Sequence, residues 1–433
     1  MIELRPFRGL RYDLDVVGSL GDVIAPPYDV IEEEDREHLY SAGMRNIVRI
    51  DSGKDYADDL PDVHDRYTRA RDHLESWIAL DILVRDDRPA LYVSSHRFLG
   101  KHGVHEERLG IYCAVRIDDE ASPLLLHERT ASSPIGDRLH LLRSTNVMTS
   151  AIFGLWDPAS AQLDTLLDDL HANPPDADGT MTWHGSEEQH SLWVIDDPVH
   201  IQQITDVLGS STVLIADGHH RYAASQQYSR EQHRMHPEWS SPAPSDWALV
   251  YLTSARGPAL HLDATHRLIK LGTGLPEISV DILDELSPAC AWQEHHDEAA
   301  CWRAIANFRS TGRSAWIISI AGRFFSVWTT PPPGDHRSSL PVSIVEDMVM
   351  HKFAHALGMS HTALLEHTHY IHDSATVTAT TRDHPVSTLG IILPPCSIDD
   401  VLSVSRAGGA MPRKSTYFTP KLPTGLVLLP LDE

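Results

Sequence analysis

Ser211-Thr-Val-Leu-Ile-Ala-Asp-Gly-His-His-Arg-Tyr-Ala-Ala224 contains three local signals in succession. The apolar run Val213–Ile215 is typical of a buried strand, and the Asp217-Gly218 pair predicts a turn. From Arg221 onward the residues favour a helix, and Asp217 should cap it because its carboxylate can accept from the free N–H groups of the first turn. Gly218 permits a positive φ and lets a ligand approach the backbone. A strand, a turn and a helix N-terminus are therefore expected here.

Polar residues follow this turn directly. The free amides of a helix N-terminus attract anions, and His219, His220 and Arg221 stand beside them. Arginine presents a planar fork of donors that suits phosphate, and histidine can donate to phosphate or bind a metal. The alternative is a capped helix whose polar residues face water. Four polar functional residues around one glycine favour a ligand site that holds phosphate.

The composition disfavours several classes of protein. The 433 residues, 42% of them hydrophobic, are enough for two or three packed domains. A net charge of -25 disfavours a nucleic-acid partner, which normally meets a basic face, and an anionic membrane surface. The 4 cysteines lack metal-binding spacing and are expected as reduced thiols. No signal-peptide core and no apolar run of transmembrane length are evident, so a soluble cytoplasmic protein is expected.

A second informative segment lies near the N-terminus, Val23-Ile-Ala-Pro-Pro-Tyr-Asp-Val-Ile31. Its two prolines fix an extended turn that presents Tyr28 and Asp29. The turn can serve as a rigid entry into a helix that starts at Glu32, or it can face a ligand. The residues by themselves favour the structural role.

A third segment, Pro123-Leu-Leu-Leu-His-Glu-Arg-Thr130, predicts a buried strand that ends in His127 and Glu128. A carboxylate at a strand end beside a helix start suits a general base. The alternative is a surface ion pair of Glu128 with Arg129 or Arg138. Spacing alone favours that alternative, because most charged residues at strand ends are solvated.

The C-terminal segment 409–425 concentrates cations and hydroxyls in an otherwise acidic protein. Its composition fits an oxyanion site, and the residues concerned are Arg413, Lys414, Ser415, Thr416 and Lys421. A solvated tail is the alternative, but the interleaved Tyr417 and Phe418 should dock on the core.

Histidines elsewhere in the chain are also candidate ligands. His266 and Arg267, in Thr265-His-Arg267, could reach phosphates or could face solvent from a strand. His351 and His355 stand four apart on a predicted helix, but the glutamate of the zinc-protease signature is missing between them. Among 28 histidines such pairs arise by chance, so a catalytic zinc site is disfavoured.

These segments resemble those of known proteins. The run Asp217–Arg221 resembles the glycine-histidine-arginine box of the ParB/sulfiredoxin superfamily, where the turn holds nucleotide phosphates, and especially the box of its free-serine kinases. The whole chain is similar to the family known as domain of unknown function 1015. The matching motifs are Arg5-Pro6-Phe7, Pro26-Pro-Tyr-Asp29, an expected strand at Asn46–Arg49, Thr265-His-Arg267 and Met411-Pro-Arg-Lys-Ser-Thr-Tyr-Phe-Thr-Pro-Lys421.

The resemblance implies a fold class. We expect an α+β, mixed-sheet, multi-layer protein with a ParB/sulfiredoxin-like core and additional N- and C-terminal α/β parts. The N-terminal part is placed at residues 1–118 and the phosphate-binding core at 119–270. The C-terminal part, ending in the basic hydroxyl-rich segment, is placed at 271–433.

The resemblance also implies an activity. The free-serine kinases carry a His-Glu pair before their box and use its glutamate as the base, a place that Glu128 takes here. We therefore expect a small-molecule kinase that transfers phosphate from ATP or ADP, with Mg²⁺, to the hydroxyl of serine or a serine-like compound. The alternatives are a phosphatase acting on a phosphorylated hydroxy or amino acid and a nucleotide-binding regulatory module without turnover.

Each candidate residue receives a role under this hypothesis. The expected catalytic residues are Glu128, Asp217 and His220, with Asp217 also the magnesium ligand. The expected nucleotide-binding residues are Gly218, His219, His220, Arg221, Arg267, Lys414, Ser415 and Lys421. The expected substrate-binding residues are Tyr28, Asp29, His127, Thr130 and His266. The expected partners are a nucleotide and a small molecule, without nucleic acid or membrane, in a possible homodimer.

Overall fold

A computed structural model describes residues 2–61, 63–118, 120, 124–128 and 132–432 of the chain, with only the backbone at 132 and 133. The chain divides into two compact units. The first comprises Met1–Leu126, Thr130–Leu260 and Pro420–Glu433, and the second comprises His127–Arg129 and His261–Thr419. The three parts expected from the sequence, with boundaries near 118 and 270, stay a prediction.

The first unit begins with an alternation of short strands and helices and continues with longer ones. Its strands are β1 (Leu4–Arg5), β2 (Leu10–Tyr12), β3 (Leu83–Arg85), β4 (Leu91–Leu99), β5 (His105–Arg116), β6 (Val147–Met148), β7 (Ile152–Asp157), β8 (Ala177–Trp183), β9 (Ser186–Ile195), β10 (Thr212–Asp217) and β11 (Trp247–Ser254). Its helices are α1 (Leu14–Val17), α2 (Leu20–Val23), α3 (Glu33–Ala42), α4 (Val48–Asp51), α5 (Arg66–Ala79), α6 (Ser132–Thr145), α7 (Ala161–His171), α8 (Pro198–Ser210) and α9 (His219–Met235), with 3₁₀ turns at Tyr28–Val30 and Pro244–Asp246.

A mixed sheet forms the centre of the first unit. Its strand order is β10-β7-β11-β5-β4-β9-β8, and β1 also pairs with β5. β7 and β11 run parallel, and the other neighbours run antiparallel. The register places Tyr112 of β5 opposite both Tyr92 of β4 and Tyr251 of β11. All three rings are buried, so this face of the sheet packs as an aromatic core.

The strand β10 ends where the site residues begin. Its register against β7 shifts between Ile215 and Asp217, which makes Ala216 the extra residue of a β-bulge. The opposite edge of β10 is covered by Leu125, whose N–H donates to Val213 O and whose carbonyl accepts from Ile215 N. Residues 213–215 are buried, so the predicted strand is confirmed.

The predicted cap of the following helix is wrong. The N-cap of α9 is Gly218, which adopts the left-handed conformation with φ 88° and ψ 25°, and the helix starts at His219. Asp217 lies one residue too early, and its carboxylate binds two cations instead of helix amides. The positive φ expected at Gly218 is confirmed.

The strand predicted at Asn46–Arg49 is also wrong, because this segment leads into the helical turn α4. Asn46 Oδ1 accepts from the amide of Val48 at 3.0 Å. The Arg49 guanidinium turns back and donates to the carbonyls of Tyr40 and Gly43. These side-chain bonds to nearby backbone groups stabilise a turn and a short helix here in place of a strand.

The second unit is built on a separate sheet. Its strands are β12 (His261–Asp263), β13 (His266–Lys270), β14 (Ala291–His295), β15 (Ser314–Ile320), β16 (Arg323–Thr329), β17 (Thr368–Ile371), β18 (Thr388–Ile392) and β19 (Tyr417–Thr419). Its helices are α10 (Glu298–Ser310), α11 (Pro341–Ile344), α12 (Met350–Ala356), α13 (His361–Glu366), α14 (Ser374–Asp383) and α15 (Ile398–Arg406), with 3₁₀ segments at Val280–Leu286 and Arg337–Ser339 and a π-helical segment at Val345–Val349. The chain then returns to the first unit for β20 (Leu429–Pro430), which pairs with β6.

The sheet of the second unit is antiparallel throughout, in the order β14-β16-β15-β18-β13-β17, and β12 pairs separately with β19. Leu268, Cys301, Ile317 and Val377 belong to its buried core, which joins the sheet to α10 and α14. Each fully buried aliphatic side chain of this kind contributes about 1.5–3 kcal/mol.

The fold class expected from the sequence, an α+β protein with mixed sheets, is confirmed. The ParB/sulfiredoxin-like nature of the core stays a prediction. Within the described part of the chain, no helix has both the length and the hydropathy that a bilayer crossing requires.

Candidate functional site

The turn at Gly218 places a helix N-terminus at the end of β10. Glycine has no side chain with which to cap the first amides of α9, and these N–H groups carry the positive end of the helix dipole. A Cβ at position 218 would lie 3.0 Å from Arg221 Nε and 3.1 Å from its Cζ. Glycine is therefore required twice, for the backbone conformation and for the close approach of the guanidinium.

Two cations hold the Asp217 carboxylate. Lys421 Nζ lies 2.9 Å from Oδ1, and an Arg221 nitrogen lies 2.7 Å from Oδ2. Arg221 also donates to the carbonyl of Ala151. Burial would raise the pKa of the Asp217 carboxyl, but Lys421 and Arg221 outweigh burial and hold that pKa well below its usual range. Asp217 is thus ionised throughout the range in which proteins are assayed, and it fixes both cations beside the turn.

These contacts bear on the expected magnesium site. Each oxygen of Asp217 already faces a cationic side chain, and a divalent ion needs carboxylate oxygens that are free of competing charge. Asp217 in this arrangement does not fit a resident Mg²⁺.

Tyr28 lies beside the same turn. The Arg138 guanidinium stacks on its ring at 4.0 Å from the centroid. Burial raises the pKa of Tyr28 to about 12, against the opposing charges of Arg221 and Arg138. The Tyr28 hydroxyl therefore stays neutral and can donate a hydrogen bond. The neighbouring Asp29 is exposed.

A cavity of about 230 Å³ opens next to Tyr28. Three arginines contribute to its lining, namely Arg36, Arg66 and Arg138. The negative charge nearby comes chiefly from Asp51 and Asp137. Of these residues, the sequence predicts only Tyr28 as part of the site.

Ion pairs hold two of the three arginines in place. Arg138 donates to Asp51 Oδ1 at 3.2 Å and to Asp137 Oδ2 at 2.7 Å, while Arg66 reaches Asp137 Oδ1 at 2.6 Å. Thr149 Oγ1 donates to the same Asp51 oxygen at 2.6 Å. Arg138 is buried, so this network fixes the wall of the cavity.

Arg36 differs from the other two arginines. One of its terminal nitrogens pairs with Glu33 at 2.6 Å. Its Nε is buried and has no hydrogen-bond partner among the residues that the structure describes. Because Arg36 lines the cavity, its guanidinium is placed to bind an incoming carboxylate or phosphate.

His127 and Glu128 belong to the second unit. His127 is fully buried, and its Nε2 lies 2.7 Å from Thr416 Oγ1. Glu128 Oε1 accepts from the backbone N–H of Lys414 at 2.8 Å. A backbone amide thus orients the Glu128 carboxylate, whereas Arg129, the neighbour considered as its ion-pair partner, lies outside the described residues.

Arg267 lies in the same neighbourhood of the second unit. It is 0% exposed, donates to the carbonyl of Thr265 at 2.5 Å and stands 3.7 Å from Glu346. Burial lowers the pKa of Arg267, and the charge of Glu346 opposes that effect. Lys414 has a positive φ of 55° and an exposed side chain, and Ser415 is buried and donates to Pro412 O at 2.6 Å.

The predicted site residues therefore fall into two groups. The first unit holds Tyr28, Asp29, Asp217, Gly218, His219, His220, Arg221 and Lys421. The second holds His127, Glu128, His266, Arg267, Lys414 and Ser415. His219 is buried and His220 half-buried. Thr130, expected to bind substrate, lies outside the described residues.

His266 is embedded in the second unit, where its Nδ1 accepts from the backbone N–H of Leu393 at 3.2 Å. Burial, His372 and Arg267 lower the pKa of His266 to about 4, and Asp373 opposes them.

The lowered pKa of His266 predicts a pH effect on stability. The unfolded chain takes up the proton near pH 6.5, before the folded chain does, so stability contributed by neutral His266 is lost as the pH falls from about 6.5 towards 4. Between pH 7 and pH 5 the loss should be about 2 kcal/mol. Urea unfolding of the wild type and His266→Gln at both pH values measures it. If both proteins lost the same free energy of unfolding between pH 7 and pH 5, His266 would not be the group responsible.

Comparisons with known proteins give a family and a weak structural likeness. The family model described as "Protein of unknown function (DUF1015)" matches residues 4–344, so the segment 409–425 lies beyond the match. The comparison with curated proteins finds no match. Solved structures with low similarity include a free serine kinase in complex with ADP, 11% identical over 70% of this chain and 89% of that chain, with a TM-score of 0.35.

Two other structures are similar to the same extent. A conserved hypothetical protein from Pyrococcus furiosus is 13% identical over 70% of this chain and 92% of its own, with a TM-score of 0.34. SbnI with a C-terminal truncation from Staphylococcus aureus is 11% identical over 74% of this chain and 87% of its own, with a TM-score of 0.37. Likeness at this level carries no argument about the site of this chain.

Proposed function

The chain belongs to the DUF1015 family, and from its own site we propose that it is a small-molecule kinase that transfers a nucleotide's terminal phosphate to the hydroxyl of serine or a serine-like compound. The proposal is carried by one observation. A glycine turn at the start of a 17-residue helix stands beside two cations that a single carboxylate, Asp217, holds in place.

The turn supplies what a polyphosphate requires. Amides at the start of α9 point along the helix axis, and Lys421 and Arg221 add two positive charges. Lys421 pairs with Asp217 Oδ1, and a phosphate can take over part of that pairing. Phosphoryl transfer requires positioning of the reactants and neutralisation of charge more than covalent chemistry. The helix amides, Lys421 and Arg221 are suited to both tasks.

The cavity beside Tyr28 suits a small anionic acceptor. Its volume of about 230 Å³ lies below the range of pockets that hold drug-sized ligands, about 300–1,000 Å³. Arg36 lines this cavity with its positive charge, and Tyr28 offers a neutral hydroxyl. A serine-like molecule would use its carboxylate on the arginine and keep its hydroxyl for the reaction.

Glu128 is proposed as the general base from its place in the sequence. In the reaction a bond forms between the acceptor oxygen and phosphorus, the bond to the leaving phosphate breaks, and the acceptor proton passes to a carboxylate. The Lys414 amide orients Glu128 for such a role.

Incubation of the protein with Mg²⁺, L-serine and either ATP or ADP tests the function. Mass spectrometry should detect phosphoserine, and calorimetry should detect nucleotide binding. Absence of both would overturn the proposal. Phosphate release from phosphoserine without nucleotide would indicate a phosphatase, and tight nucleotide binding without product would indicate a regulatory module.

A further inference from the structure

A cluster of three metal-ligating side chains lies on the central sheet of the first unit. His96 belongs to β4, while Glu188 and His190 belong to β9, and the register places His96 directly opposite His190. Glu188 and His190 are two residues apart on one strand, so their side chains share a face of the sheet. Strand pairing therefore brings the three side chains to one point.

The three ligand atoms are close enough to share one ion. One oxygen or nitrogen from each residue lies within 4.8 Å of the other two. His96 Nε2 is 2.8 Å and His190 Nε2 is 3.9 Å from the same oxygen of Glu188. Tetrahedral zinc with bonds near 2.0–2.2 Å separates its ligand atoms by about 3.3 Å, which lies between these two distances.

His190 is the member that indicates a ligand. It is 0% exposed, and neither ring nitrogen has a hydrogen-bond partner within the described ranges of the chain. Buried polar groups in native proteins are nearly always satisfied. The ring lies next to that of His96, with 4.3 Å between centroids and a tilt of 35° between the ring planes, and its Nε2 is 3.9 Å from Glu188 Oε2. A group that accepts the lone pair of His190 would satisfy this nitrogen.

From this geometry we propose that His96, Glu188 and His190 form a binding site for a divalent transition-metal ion, with Zn²⁺ the best match. Two imidazoles and one carboxylate are ligands that zinc favours, and three protein ligands leave a fourth position for water. Glu188 is half-buried and gives the ion its route from solvent.

Arg108 is the group that opposes the ion. Its guanidinium donates to His96 Nδ1 at 3.3 Å, which places the ring proton on Nε2, facing Glu188. Metal binding through Nε2 requires the other tautomer, with the proton on Nδ1, and Arg108 must then release that nitrogen. Arg108 keeps a second bond, to Pro420 O at 2.7 Å. The positive charge of Arg108 should lower the affinity for the metal ion without abolishing binding.

Zinc titration of the chelator-stripped, full-length protein against a chromophoric competitor tests the proposal. The wild type should bind one equivalent, and Co²⁺ should give the strong visible bands of a tetrahedral site. Glu188→Gln and His190→Gln should each weaken zinc binding more than 100-fold. Arg108→Met should tighten it, because the opposing charge and the competing hydrogen bond are both removed.

The matched control is His351→Gln in the second unit. His351 and His361 form another close histidine pair, stacked with 3.8 Å between ring centroids, but no carboxylate completes a triad with them among the residues described. This variant should bind zinc as the wild type does. The glutamine in Glu188→Gln can still accept the hydrogen bond from His96, so this variant should remain folded. It therefore tests the proposal even if His190→Gln fails to fold. Absence of zinc binding, or equal binding by wild type and Glu188→Gln, would overturn the proposal.

Discussion

Replacing Lys421 by methionine should lower kcat/KM for phosphate transfer about 10²–10³-fold. The lysine ammonium lies 2.9 Å from Asp217 Oδ1, its side chain is 15% exposed, and it can turn from the carboxylate to an incoming phosphate. Methionine preserves the apolar stem and removes the charge. Initial rates at several nucleotide concentrations measure the effect, which should include weaker nucleotide binding.

The matched control for this variant is Lys270→Met. Lys270 is exposed at the end of β13, so the same change of charge occurs there, and the rate should not change. Asp217 in the Lys421 variant keeps its pairing with Arg221, so the protein should remain folded in a thermal melt. An unchanged rate in Lys421→Met, or an equal loss in both variants, would exclude Lys421 from the phosphate site.

Exchanging Glu128 for glutamine should lower kcat about 10²–10⁴-fold and leave the Kd for nucleotide unchanged. An amide cannot take up the acceptor proton. Its carbonyl oxygen can still accept from the Lys414 N–H, as Glu128 Oε1 does at 2.8 Å, so the local structure should persist. Phosphoserine formation measures kcat, and calorimetry measures the Kd.

Glu34→Gln serves as the comparison, since Glu34 is exposed on α3 and the change of charge is the same. It should retain full activity. If Glu128→Gln turns over as fast as the wild type, the base is another residue. If instead it loses nucleotide binding, Glu128 acts on the donor site and not on the acceptor.

Local sequence signals were sufficient to predict the turn at Gly218. Three buried aliphatic residues, a glycine and a helix-forming run are local signals, and the strand, the positive φ and the helix all occur where they were expected. Short-range sterics and the need to bury apolar side chains dictate such features. The same local logic failed for Asp217, because a helix cap competes with ion pairs that form over long sequence separations.

Which charged side chains meet depends on the tertiary packing. Lys421 stands 204 residues from Asp217, and Arg138 stands 87 residues from Asp51. Nothing in the spacing of these residues predicts the pairing. The register of β4 against β9 likewise brings His96 to His190. Local sequence governs backbone conformation through nearest-neighbour interactions, whereas a binding site depends on which side chains the packed strands and helices bring within a few ångströms of one another.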